Sequence, residues 1–280
     1  MTSDRRFRLG TSWKMTKTLA EAMVYADELR AATLPAEPQI FVLPAHTALA
    51  AVRDRLASDG RFLLGAQNAH PGADGSVTGE VSMEMVRDAG ATLLEIGHAD
   101  RRTMFGETDD LVAAKVAAAV GAGLVPLVCV GETGEQRARG EAVRAVTAQV
   151  RAALGGSAGT APREILVAYE PQWAIGSRGR PPVAGELSEV LAAIRRELDS
   201  CLAAEVRAEL LYGGSVSADN VHELVTGLDV DGLFVARAAW SAAGLIDLAH
   251  RCAEALAERA APTLPDRLPD PLPAVARKEL

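Results

Sequence analysis

Residues 164–176 read EILVAYEPQWAIG. An apolar run, Ile165 to Tyr169, ends on the carboxylate of Glu170 and passes at once into proline, tryptophan and glycine. A run this short, bounded by turn formers, reads as a strand buried on both faces. A charge at the end of such a strand is costly to desolvate unless it has a partner or a task. The same design recurs in RFRLGTSW (6–13), PQIFVLPA (38–45), RFLLGAQN (61–68), ATLLEIGH (91–98), LVPLVCVGE (124–132), AELLYGG (208–214) and DGLFVARA (231–238). With the opening stretch, that makes eight strands.

Helical patterns lie between them. Leu19, Met23, Ala26 and Leu29 stand at helical spacing within 17–32, and 108–121, 141–154, 186–202 and 217–226 behave alike. Ser217, with Ala218, Asp219 and Asn220, supplies a cap-like start for the last of these. Strands alternating with helices predict βαβ units and a parallel sheet. A doubly wound sheet is one solution. A closed (β/α)8 barrel, a TIM barrel of the α/β class, fits the count better. The polar residues also gather after the strands, where such barrels build their sites. One domain is expected over 5–260. Residues 262–280, PTLPDRLPDPLPAVARKEL, hold five of the fourteen prolines. Helix is excluded over much of that stretch, and 261–280 is expected to be an extended or partly disordered tail, with pinning by its leucines as the alternative.

The chain has 280 residues, 49% of them hydrophobic, and a net charge of −8. It carries no electrostatic footprint for nucleic acid, although a local basic pocket can still hold an anionic substrate. Cys129, Cys201 and Cys252 are odd in number and widely spaced, so reduced thiols and a cytoplasmic location are expected. No signal peptide and no transmembrane run is read. Neither GxGxxG nor a P-loop occurs. His46, His70, His98, His222 and His250 show no ligand spacing with cysteine or carboxylates, so neither metal nor cofactor is expected.

Three chemically able residues stand at strand ends: Lys14 in GTSWKM, His98 in EIGHADRR and Glu170 in VAYEPQW. Gly213, Gly214 and Ser215 follow the seventh strand in YGGSV. A lysine, a histidine and a glutamate on one rim suit proton abstraction beside a carbonyl, with Glu as base, neutral His polarising the oxygen and Lys stabilising the enediolate. Small-residue loops after the last strands suit phosphate.

Over 5–258 the chain resembles the triosephosphate isomerase family. The motifs that carry this are WKM, GHxxRR, YEPxWAIG and YGGSV, in that order. The resemblance implies roles established for that family: Lys14 electrostatic, His98 electrophile, Glu170 base, and a loop Pro171–Gly179 that closes over a small phosphorylated sugar. It implies phosphate contacts from Gly176, Gly213, Gly214 and Ser215. It also implies a homodimer through the 65–80 loop, with Thr78 near the partner's Ser12 and Lys14. Glu132 and Glu107 read as supporting residues, Glu132 toward His98 or Lys14. Asp100 with Arg101 and Arg102 reads as an ion-pair network beneath the site. Cys129 reads as buried and inert, and Trp13 and Trp173 as packing or lid-shaping residues.

The departures matter. Ser12 stands where the family has asparagine, Ala99-Asp100 where it has Ser-Glu, Ser177-Arg178-Gly179 where the lid has Thr-Gly-Lys, and Ala236-Arg237 where it has Gly-Gly. Asparagine to serine opens volume beside the reacting carbons. Arg237 brings a Cβ and a permanent charge to a backbone phosphate site, where inward it pairs with phosphate and outward it limits approach. More room suggests a larger ketose phosphate. GTSWKM and GLFVxRxAW also resemble the branch that isomerises L-erythrulose 1-phosphate to D-erythrulose 4-phosphate in erythritol catabolism. The alternatives are a triosephosphate isomerase of glycolysis and gluconeogenesis, and a non-catalytic barrel that binds sugar phosphates.

Overall fold

A computed structural model describes residues 6–56, 59–155, 162–175, 182 and 184–260. Its strands are β1 (Arg8–Ser12), β2 (Gln39–Leu43), β3 (Phe62–Ala66), β4 (Leu93–Ile96), β5 (Val125–Val130), β6 (Glu164–Tyr169), β7 (Arg207–Tyr212) and β8 (Gly232–Val235). They close in sequence order into one barrel, every pair parallel. Closure comes from β8 on β1, with Gly10 opposite Phe234. The doubly wound alternative is thereby excluded.

Side chains alternate along each strand between two cores. In β4, Leu94 and Ile96 join the large core under the helices, whereas Leu93 belongs to the small core inside the barrel with Phe41, Leu127, Leu211 and Phe234. Phe41 and Phe234 stack at 5.7 Å across this interior. Gly10 is required there, because a Cβ would lie 1.8 Å from the Phe41 ring.

The helices are α1 (Leu19–Ala31), α2 (His46–Leu56), α3 (Met83–Asp88), α4 (Ala99–Met104), α5 (Asp109–Gly121), α6 (Gly134–Ala138), α7 (Ala142–Gly155), α8 (Ser188–Cys201), α9 (Val221–Gly227) and α10 (Ala242–Ala260). Five match the helical patterns read from the sequence. The others, including the long α10, lie outside those patterns. Thr18 caps α1 in a reciprocal box with Glu21, as its Thr-x-x-Glu spacing favours. Ser217 does not cap α9. That helix begins at Val221, and Asn220 instead accepts from the Ser217 N–H at 2.8 Å. The tail, residues 261–280, lies outside the described residues.

Candidate functional site

Lys14 follows β1 in a left-handed conformation, φ 54°, which a residue with a Cβ adopts only under constraint. The constraint is visible: Gln67, just after β3, donates from Nε2 to the Lys14 carbonyl at 3.1 Å and to that of Leu43 at 3.0 Å. So held, Lys14 Nζ reaches Asp100 Oδ2 at 2.9 Å. Burial pushes the Asp100 carboxyl up, but the Lys14 hydrogen bond and the neighbouring charges outweigh it and hold it below the usual range. Asp100 therefore pairs with Lys14 and not with the arginines after it. Arg101 turns to Glu107 at 2.5 Å and Arg102 to Asp109 at 2.6 Å. Glu107 is also bound by the buried Lys115.

His98 is the N-cap of α4. Its Nδ1 accepts the Asp100 backbone N–H at 2.9 Å. That bond assigns the lone pair to Nδ1 and the ring proton to Nε2, the neutral tautomer. Nε2 faces Glu170 Oε1 at 3.6 Å.

Glu170 leaves the end of β6 only 3% exposed. Its backbone N–H donates to Val130 O at 2.7 Å, and its Oε2 lies 3.4 Å from the Ala99 N–H. A Cβ on Gly213 would stand 2.9 Å from its Cγ, so that glycine leaves room for the carboxylate. Cys129 is buried beside it, its thiol pushed well up by burial and by Glu170 and Glu95.

Glu132 does not turn toward His98 or Lys14. Its Oε1 accepts from Trp173 Nε1 at 2.7 Å and from Tyr169 OH at 3.2 Å, and Arg137 stacks on the Trp173 ring at 4.3 Å. The physical reason is geometric. Glu132 lies two residues beyond β5 and faces the neighbouring β6 exit, so it anchors the residues that follow Glu170. Gly176 and the remainder of the expected lid, 177–179, lie outside the described residues.

Gly213 and Gly214 follow β7. A Cβ on Gly214 would meet the Tyr212 hydroxyl at 2.1 Å. Ser215 is half-buried, its carbonyl accepting from Asn220 Nδ2 at 2.9 Å. Arg237 opens a short 3-10 turn after β8, exposed and without an ion-pair partner among the described residues. Thr78 is exposed in the 65–80 loop.

The sequence reading passed over one acid. Glu95, inside β4, is 3% exposed and takes a hydrogen bond from Ser12 Oγ at 2.9 Å. Burial pushes its carboxyl up to about 7, with the Glu170 charge adding to the shift and His98, Ser12 and Lys14 opposing it. Ser12 therefore leaves no bare void where the family has asparagine; it is half of a polar pair. Trp240, after β8, donates from Nε1 to the Ser12 carbonyl at 3.1 Å. A cavity of about 680 Å³ opens over these groups, lined among others by Ser12, Lys14, Glu95, His98, Asp100 and Trp240.

Ligand atoms of Glu95, His98 and Glu170 all lie within 4.8 Å of one another, so this cluster could hold a cation. Linear spacing does not show it, because Glu170 follows β6 while Glu95 and His98 belong to the β4–α4 unit. His98 Nε2 would have to give up its proton to bind a metal, which sets that use against proton transfer.

A barrel that gathers a buried carboxylate, a neutral imidazole and an ammonium on one cavity has the equipment of an isomerase that moves a proton between adjacent carbons of a hydroxy ketone. Residues 8–252 match the triosephosphate isomerase family model. Proteins called L-erythrulose-1-phosphate isomerase are similar along most of their length. The one from Mycolicibacterium smegmatis is 47% identical, covering 88% of this chain and 92% of its own. Those of Rhizobium rhizogenes and Brucella abortus biovar 1 are 42% and 44% identical, covering 91% and 89% of this chain and 98% and 97% of theirs. The chain belongs to the triosephosphate isomerase family and is an isomerase.

Proposed function

We propose that this isomerase interconverts L-erythrulose 1-phosphate and D-erythrulose 4-phosphate. The observation that carries the reading is the polar Ser12–Glu95 pair on the wall of the cavity that Lys14 and His98 line, with Glu170 beside His98. The names of the relatives described above point the same way.

The chemistry needs no external oxidant or reductant. Glu170 takes the proton from C3 of the 1-phosphate, and that electron pair forms the C2–C3 double bond. The carbonyl pair moves to O2, where the Nε2–H of His98 donates and the ammonium of Lys14 balances the developing charge. Return of the proton to C2, with loss of the O3 proton, leaves the carbonyl at C3. Gly213, Gly214 and Ser215, with Gly176 and Arg237, would hold the phosphate. Glu132, through Trp173, would set the start of the lid, and Asp100 would position Lys14.

The assembly proposed is a homodimer. Met15, Met104 and Phe105 stand 99%, 74% and 67% exposed around the cavity, an apolar face suited to the 65–80 loop, including Thr78, of a partner copy. No described helix is long and apolar enough to cross a membrane. A cytoplasmic place in erythritol catabolism follows from the proposed substrate.

The test is kcat/KM measured side by side on L-erythrulose 1-phosphate and dihydroxyacetone phosphate. A strong preference for the tetrulose supports the proposal. A preference for the triose assigns the chain to glycolytic triose isomerisation instead.

A further inference from the structure

We propose that Glu95 and Ser12 form a subsite for the terminal hydroxymethyl group of a four-carbon ketose phosphate, and that this pair sets the choice between tetrulose and triose. The inference rests on the substrate proposed above and assigns the groups that would recognise it.

Placement comes first. β1 and β4 are not neighbours in the barrel, yet Ser12 and Glu95 meet across its interior at 2.9 Å because both side chains point inward at the same level. His98 and Glu170 stand close by, each with an atom within 4.8 Å of a Glu95 carboxyl oxygen. A carbon seated between Glu170 and His98 for proton transfer is therefore one hydroxymethyl arm from the Glu95 carboxyl. In L-erythrulose 1-phosphate that arm is C4 with its hydroxyl, borne on the carbon that loses the proton. It stays on that carbon through the reaction, so one subsite serves both directions. A triose phosphate carries only hydrogen there.

Hydrogen-bonding capacity comes second. A carboxylate offers about four lone-pair sites, and a buried one has no water to fill those left over. Among the described residues Glu95 has one partner, the Ser12 hydroxyl. A buried acid with spare capacity on a cavity wall is destabilising when empty and is satisfied by a ligand hydroxyl. With its proton affinity raised to about 7, the group can donate to that hydroxyl or accept from it. A shorter substrate leaves the pair unfilled, and sites built to bond a hydroxyl discriminate strongly against analogues that lack it. Trp240 holds the Ser12 backbone from the cavity side, which keeps the pair from relaxing into the space.

The experiment uses the full chain and two unreactive probes, erythritol 4-phosphate and glycerol 3-phosphate, which are the reduced forms of the tetrulose and triose phosphates. Their inhibition constants, and kcat and KM on both ketoses, are measured for wild type, Glu95→Leu, Glu95→Gln and Ser12→Ala. Wild type is expected to bind the tetritol phosphate at least about tenfold more tightly. In Glu95→Leu the two constants should converge, and the tetrulose-to-triose ratio of kcat/KM should fall by about 100-fold. Ser12→Ala should give a smaller fall in the same direction. Should Glu95→Leu fail to fold, Glu95→Gln keeps the shape and should still lower the ratio by about tenfold. A wild type that prefers the triose overturns the proposed substrate and the subsite with it. A wild type that prefers the tetrulose, with Glu95 variants that lose both substrates in parallel and keep the probe ratio, overturns the subsite alone. That second result would make Glu95 a group of the proton relay.

Discussion

The two ends of the barrel use charge in opposite ways. At the end where the strands begin, Arg8 bonds Glu209 at 2.7 Å and Glu164 at 2.5 Å, Arg207 bonds Glu209 again at 2.5 Å, and Asp231 is gripped by Arg195 at 2.5 Å and by the Leu210 N–H at 2.8 Å. Glu209 is 1% exposed and has an arginine at each oxygen. At the end where the strands finish, Glu170 and Glu95 are as deeply buried but thinly partnered. Charges that answer one another hold the barrel shut. Charges left under-satisfied remain available to a substrate, which is why reactive groups belong at that end.

The largest effect expected from breaking this contrast is at the reactive end. Glu170→Gln keeps the shape and removes the base, so kcat should fall by roughly 10²–10⁴-fold. Glu170→Asp withdraws the carboxylate by about 1 Å and should lower it by about 100-fold. Steady-state assays check both, and near-normal turnover in either would remove Glu170 as the base.

At the other end, Arg8→Ala should lower unfolding free energy by about 3 kcal/mol, because it strips one partner from a buried acid while Arg207 remains. Urea titration measures the loss. The kcat/KM of the folded fraction should stay within about twofold, since the substitution lies a strand's length from the chemistry. A large catalytic defect would show that the two ends are not independent.

Glu95 sharpens the comparison through pH. Its folded carboxyl titrates at about 7 against an ordinary 4.5. Between those values the folded chain holds more protons than the unfolded one, so stability falls as pH rises. The favourable term is full below about 4.5 and gone above about 7, worth up to about 3 kcal/mol. Denaturation of wild type and Glu95→Gln from pH 5 to 8 should show this slope in the first and not in the second. Parallel profiles would mean that the acid is not strained by burial.

The smallest effect is expected just after β6. Trp173→Phe removes the 2.7 Å bond to Glu132 and should raise KM or lower kcat by about fivefold, with about 1 kcal/mol lost in stability. Unchanged kinetics would separate the Glu132–Trp173 bond from catalysis.

Much of the site could be read before any fold was drawn. Lys14, His98 and Glu170 each stood at the end of an apolar run, and the closed barrel brings two of them to 3.6 Å and sets the third on Asp100. Glu95 in ATLLEIGH is, like Glu170, a carboxylate in apolar surroundings, and its sequence signal is the same. Other features had no local signal. Gln67 acts through two backbone carbonyls, one on another strand. Glu132 reads from the sequence as facing His98 or Lys14, and in the structure it faces neither, because Trp173 and Tyr169 take its carboxylate. The helix α10 lies after the last strand and outside the helical patterns read between strands.

The sequence by itself determined the number of strands, their order and which residues stand at their exits. Those properties depend on runs of a few residues and on the twofold alternation of a strand. Only the tertiary structure decided which inward-facing side chains meet. That depends on the tilt and stagger at which the strands close, a property of the whole ring. Ser12 and Glu95 are 83 residues apart along the chain, and closure puts them in hydrogen-bond contact.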